Sequence, residues 1–428
     1  MTLTIDEALG LIELKLVHEI HTSERKSFQG CRRRWDWLFR QNYYPKVTAK
    51  YFEFGTAFHA GMEKYYDPKT WKLDRKVIAN LAILEFVHVC EEQKKDMIKL
   101  TQSMYLDYDV EEDYAERVEL GKGMLNYFFD KVAPKEDHGW KPVKVEIAFM
   151  LPIPNPETGE AVMFCKCKGC KERWYTHLTK TENPDAQKII STEGNMVEHC
   201  DYWGEWQGLP VVYAGRIDML IQDERGHYWI VDWKTAAQIR EDDDSFLYLD
   251  DQVGSYVWAL RRLGLDVKGF IYHQQRKAFP QPPTRNAHRR LGRLFSVNQN
   301  QATNYDEYLA TVSAEDKEAY EEGKYDEFLE FLKNEGITFY ARHQIHKTHY
   351  EVDEIERNIG YEALDMLDPG LRVYPSSGRF SCGSCAFRQP CLGKNAGEDY
   401  LYTLNTMFEQ REHYYLRKRP STESKGSE

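Results

Sequence analysis

The chain has 428 residues, 42% of them hydrophobic, and a formal net charge of −12 from 57 Lys and Arg against 69 Asp and Glu. At ~150 residues per domain this allows two or three domains, or one core with large insertions, and it excludes wholesale disorder. No run approaches the ~18 apolar residues of a membrane-spanning helix, and the N-terminal stretch carries acids among its apolar residues, unlike a secretory signal.

In chain order, residues 1–140 read mostly as helix, with helical spacing clearest over 72–93. Cys90 sits there as an ordinary buried thiol. Near residue 143 the period changes, and VKVEIAFMLPI reads as a strand closed by the turn-rich PNPETGE. An irregular, cysteine-bearing insertion occupies 151–210. VVYAGRIDMLI, the turn DERG and HYWIVDWKT then form a predicted β-hairpin. QVGSYVWALRRLG is a helix ended at Gly264, and VKGFIYHQQ is another strand. Residues 296–418 form a charged, helical C-terminal region with a cysteine cluster, and 419–428 a polar tail expected to be disordered. The expected fold class is α/β: a small mixed sheet over 141–295, flanked by helical N- and C-terminal regions.

The hairpin carries the chemistry. With DERG at 223–226 as the turn, strand partners sum to about 449 or 450, which sets Asp218 opposite Asp232 or its neighbour. Like charges so placed destabilise the pair unless a cation lies between them, and Mg²⁺ suits an all-oxygen site. Lys234, two residues after Asp232, shares its face. A one-residue slip would carry Asp218 to the other face. The alternative is a solvated hairpin with surface charges.

Gly215-Arg216-Ile217-Asp218 with Asp232-Trp233-Lys234-Thr235 resembles the bipartite signature of PD-(D/E)XK nucleases, with Ile217 replacing the nominal Pro. Gly55-Thr56-Ala57-Phe58-His59 resembles the N-terminal helix motif of the RecB-like branch, whose His is a metal ligand. Gln252 and Tyr256 resemble its Q-x-x-x-Y motif, and they share a helix face. Glu146 stands where the family often has an acid, and implies a secondary metal or water contact. The resemblance implies a restriction-endonuclease-like core in which His59, Asp218, Asp232 and the Trp233 carbonyl hold Mg²⁺ or Mn²⁺. Lys234 would position water, and Gln252 and Tyr256 would act on substrate or on Lys234. The implied activity is a metal-dependent deoxyribonuclease, an exonuclease on single-stranded DNA or duplex ends, in the cytoplasm of a bacterial, archaeal or phage-infected cell. A DNA endonuclease and a non-catalytic DNA-binding subunit of the same fold are the alternatives. A zinc- and cluster-bearing regulatory protein is a rival from another class.

Cys382-x2-Cys385-x5-Cys391 leaves a tetrahedral site one ligand short, and Cys31 is the natural fourth. This arrangement is similar to iron–sulfur RecB-like nucleases, including the AddB nuclease domain and CRISPR-associated exonucleases, and implies a structural 4Fe-4S cluster; zinc on the same thiolates is the alternative. Cys165, Cys167, Cys170 and Cys200, with His199 or His177, form a candidate zinc group in the insertion, the alternative being an exposed, reducible loop.

Charge is segregated. Residues 241–251 hold six acids and no base, whereas 271–295 hold Arg276, Lys277, Arg285, Arg289, Arg290, Arg293 and no acid. That strip, with Arg32, Arg33 and Arg34 beside Trp35 and Trp37, forms a candidate DNA contact, cations for phosphate and aromatics for unpaired bases. No phosphate loop of the G-x4-G-K-S/T type occurs, so a helicase or recombination motor would be a separate partner.

Overall fold

The computed structural model describes residues 18–46, 51–104, 109–165, 208–239, 245–368 and 370–411. Its strands are β1 (His18–His21), β2 (Tyr43–Pro45), β3 (Lys141–Pro152), β4 (Met163–Cys165), β5 (Gly208–Gln222), β6 (Tyr228–Ala236), β7 (Val267–Arg276), β8 (Arg285–Arg290), β9 (Arg293–Phe295), β10 (Tyr340–His346) and β11 (Phe408–Gln410). The helices that cover the sheet are α1 (Thr22–Gly30), α2 (Tyr51–Tyr65), α3 (Arg75–Met104), α4 (Val110–Tyr127), α5 (Asp251–Arg262) and α6 (His349–Leu367). No described helix is long and apolar enough to cross a membrane.

The central sheet is mixed, as expected. It runs β1-β5-β6-β7-β10, with β3 and β4 also paired to β5. The β5–β6 and β7–β10 pairings are antiparallel, whereas β6–β7 and β1–β5 are parallel. Two cores sandwich it. One joins Phe28 of α1, Val257 of α5 and Ile359 of α6 to Leu220, Ile230 and Phe270. The other joins Phe58 of α2, Phe86 of α3 and Leu125 of α4 to Met219, Val231 and Ile271. Strict alternation along β6 and β7 feeds both, which is how a sheet buried on two faces is built.

Local chemistry sets the ends. Asp223 starts the hairpin turn by accepting from the backbone N–H groups of Arg225 and His227, and Gly226 closes it at φ +82°, where an L side chain would be strained. Asp250 caps α5 by accepting from the N–H groups of Gln252 and Val253. Thr348 and Glu351 form a capping box on α6.

Two features differ from the sequence reading. Residues 340–346, taken as helical, form β10, an outer strand of the sheet with only Ile345 buried. Residues 285–295, read in the sequence only as part of a basic strip, form the β8–β9 hairpin, which packs Phe295 against Tyr308, Tyr325 and Phe328 in a small satellite core. The two chain ends do meet: β11 pairs with β2, and Trp37 and Tyr43 pack with Phe387, Leu404 and Phe408.

Candidate active site at a strand fork

The long strand β5 changes partners midway. Its C-terminal half pairs with β6 from Met219↔Val231 to Gln222↔Tyr228, while Val211–Ala214 pair with β1 on the same edge. The hairpin partners sum to 450, the register that aligns Asp218 with Asp232. Their ladder ends one residue short of them, and β6 departs toward β7. The acids therefore lie at a fork.

A second irregularity marks the same level. Ile147 and Ile217 point into the first core, but Val145 and Met219 point into the second. Strand alternation would place 145 with 147 and 217 with 219. The switch occurs at Glu146 and Asp218, which the β3–β5 register leaves between its matched pairs. Glu146 takes φ +49°, a left-handed conformation that costs a non-glycine residue strain and clusters at functional sites. At this level the acid pair receives groups from both helical layers, His59 on Asp218 and Gln252 on Asp232.

From the second layer, His59 of α2 brings Nδ1 to 3.2 Å from Asp218 Oδ2, and the Trp233 N–H donates to that same oxygen at 3.1 Å. From the first layer, Gln252 in the first turn of α5 donates through Nε2 to Asp232 Oδ1 at 2.9 Å. Lys234 Nζ stands 2.6 Å from Asp232 Oδ2. Asp232 is buried, 1% exposed, while the Lys234 side chain remains 35% accessible. Despite that ion pair, Asp232 Oδ2 receives no well-oriented hydrogen bond. Tyr256, one turn beyond Gln252, is buried edge-on to Phe149, and a Cβ at Gly215 would collide with that Phe149 ring.

The two acids titrate apart. Burial pushes Asp232 up to about 6; Lys234 opposes the rise and Asp218 adds to it. Burial would raise Asp218 too, but the His59 imidazole, the Lys234 ammonium and the Trp233 N–H hold it below the usual aspartate range. Burial alone would lower His59 and Lys234, and the neighbouring acids reverse this in both.

Among the described residues, no group of three or more His, Cys, Asp or Glu side chains is assembled as a ready metal cage. At the fork, Lys234 and Gln252 occupy both Asp232 oxygens, so the side chains close on one another. The donor set still fits a hard divalent ion: two carboxylates and an imidazole beside them. Glu146 turns away, its carboxylate 3.1 Å from the Arg216 guanidinium.

The four C-terminal and N-terminal cysteines are free thiols, each partly accessible. Cys31 Sγ accepts from the Ser376 N–H and Cys382 Sγ from the Gly378 N–H, both at 3.4 Å. Burial raises Cys385, with smaller contributions from Cys31 and Cys382. Cys391 Sγ accepts from Arg33 at 3.3 Å. Four soft donors from both chain ends thus suit a thiolate-bound group in chemistry, without forming a closed cage. Cys167, Cys170, Cys200, His177 and His199 lie outside the described residues, as does the side chain of Cys165.

The basic segments divide. Arg32 stacks on Phe28 and Tyr374, and Arg33 bonds Asn395, while Arg34 is exposed. Trp35 corrects an expectation: at 2% exposure, with Nε1 donating to buried Glu24, it is core and has no face for a base. Trp37 is buried as well. Arg285 pairs with Glu315 and Arg289 with fully buried Asp316, so these two brace the β8–β9 hairpin. Lys277 lies over the Phe54 ring, and Arg290 is exposed. The sequence reading missed Tyr272 and Gln274, which β7 sets beside Asp232 and Lys234. Their signal was the polar alternation Tyr272, Gln274, Arg276.

Fold and site define a class: an α/β/α sandwich with an acid pair and a lysine on a split hairpin. The family comparison agrees. The model of the PD-(D/E)XK nuclease superfamily matches residues 22–392, and the chain belongs to that superfamily. No curated protein matches it.

Proposed function

We propose that the protein is a divalent-metal-dependent deoxyribonuclease, acting as an exonuclease on single-stranded DNA or duplex ends. The observation that carries this reading is the convergence of His59, Asp218, Asp232 and Lys234 at the fork. His59, Asp218, Asp232 and the Trp233 carbonyl would hold Mg²⁺ or Mn²⁺, which when bound offsets negative charge on a phosphate and lowers the pKa of water. Lys234 orients the attacking water and places a cation beside the reacting phosphate. His59 and the Trp233 N–H fix the rotamer of Asp218. Gln252 fixes that of Asp232, and Tyr256 packs behind it. Arg34, Arg276 and Arg290 supply cations for the DNA backbone. Cys31, Cys382, Cys385 and Cys391 would hold a 4Fe-4S cluster whose role is to tie the chain ends. Mg²⁺-dependent loss of linear single-stranded DNA, with circular DNA spared, is the expected assay result. Lys234→Ala or Asp232→Ala should reduce cleavage by about 10²–10³-fold or more while DNA binding survives. Unimpaired cleavage by purified Lys234→Ala protein refutes the assignment, and cleaved circles favour an endonuclease.

A further inference from the structure

In this structure both oxygens of Asp232 are engaged, one by Lys234 and the other by Gln252. A cation reaching Asp232 must displace the ammonium, which then takes its hydrogen bonds from water or from a neighbouring acceptor. The neighbouring strand holds one. In the parallel β6–β7 ladder, Asp232 is matched to Tyr272 and Lys234 to Gln274. Side chains matched in this way share a face, and Tyr272 lies close enough to Lys234 for each to influence the other's charge. The Gln274 side chain lies near the Tyr272 hydroxyl, where it opposes the rise that burial gives the phenol. Its Oε1 is closed off from solvent and accepts no hydrogen bond. A buried acceptor left without a donor is costly and calls for a cause.

We infer that Gln274 is a positioning residue for Lys234: its idle Oε1 receives the ammonium when a divalent cation takes Asp232, and Tyr272 holds the amide in the orientation that makes this exchange available. Lys234 then stays at the fork, aimed by Gln274 rather than by the acid. The inference rests on the metal-dependent reading above and adds a partner exchange to it.

Calorimetric titration of Mn²⁺ into DNA-free protein tests it, alongside kcat and KM on single-stranded DNA and thermal melting. Gln274→Met keeps the length of the side chain and removes the acceptor. It should weaken Mn²⁺ binding and lower kcat, each by about 10-fold or more, the scale found for groups that orient metal ligands. KM should hold, and Gln274→Glu should restore both quantities. Native-like Mn²⁺ affinity and kcat in Gln274→Met overturn the inference, whether or not melting falls. Absence of Mn²⁺ binding by the native protein overturns the metal-dependent reading itself. If Gln274→Met does not fold, Tyr272→Phe takes its place: a smaller loss of Mn²⁺ affinity is expected, and no loss overturns the proposal.

Discussion

Two buried aspartates, one associated with each face of the same sheet, are held in opposite ways. On the side of the N-terminal helices, Asp137 receives the Tyr66 hydroxyl on one oxygen and Arg342 on the other. Arg342 in turn donates to His273 Nδ1 at 3.0 Å and stacks on Trp140. On the other side, Asp232 shares one lysine with a second acid, and Gln252 takes its remaining oxygen. Burial raises both carboxyls. A shifted titration therefore reports burial in either case. The crowding of like charge and the strained Glu146 separate the proposed active site from a structural clamp.

The comparison can be broken most forcefully by neutralising each centre. Asp232→Asn should remove Mg²⁺-dependent cleavage by about 10³-fold, the upper range for loss of a charge-stabilising group, while the metal-free protein melts no lower than native. A marked fall in melting temperature would make Asp232 a structural acid like Asp137. Arg342→Met should act the other way. It strands Asp137 in the interior, and urea unfolding should show a loss of about 3–5 kcal/mol. A stable Arg342→Met protein would remove the distinction from that side.

A third buried acid sharpens the contrast with a smaller effect. Burial pushes Glu24 up to about 7, against the hydrogen bond from Trp35 and the charge of His21. Its folded value exceeds its unfolded value of 4.5, so the folded state favours the protonated form. The stability this confers is complete below about pH 4.5 and is lost as pH rises through 7. Glu24→Gln should thus stabilise the protein at pH 8 by about 2–3 kcal/mol and change little at pH 4. Equal gains at both pH values would show that the carboxyl does not titrate with folding.

Much of the site was legible in the sequence because short-range rules govern it. The DERG turn set the hairpin register, period-two spacing set Lys234 on the face of Asp232, and helical spacing set Gln252 beside Tyr256. The fork was not legible. Nothing in the string VKVEIAF announces that Glu146 adopts φ +49° and reverses the pleat, since that conformation is stabilised by strands far away in sequence. Strand β10 escaped for a related reason: YARHQIH buries one residue and carries no apolar alternation. Trp35 misled because an aromatic among arginines reads the same whether it faces a base or a core; only its burial and its bond to Glu24 decide. Arg289 misled likewise, its partner Asp316 being invisible until the hairpin packs.

Crystals soaked in Mn²⁺ and measured at the manganese absorption edge give the most direct reading of the fork. The expected result is an anomalous peak bounded by His59, Asp218 and Asp232, with the Lys234 ammonium displaced from Asp232. Full manganese occupancy elsewhere in the protein, with Lys234 still closed on Asp232 and no density between the two acids, would contradict it.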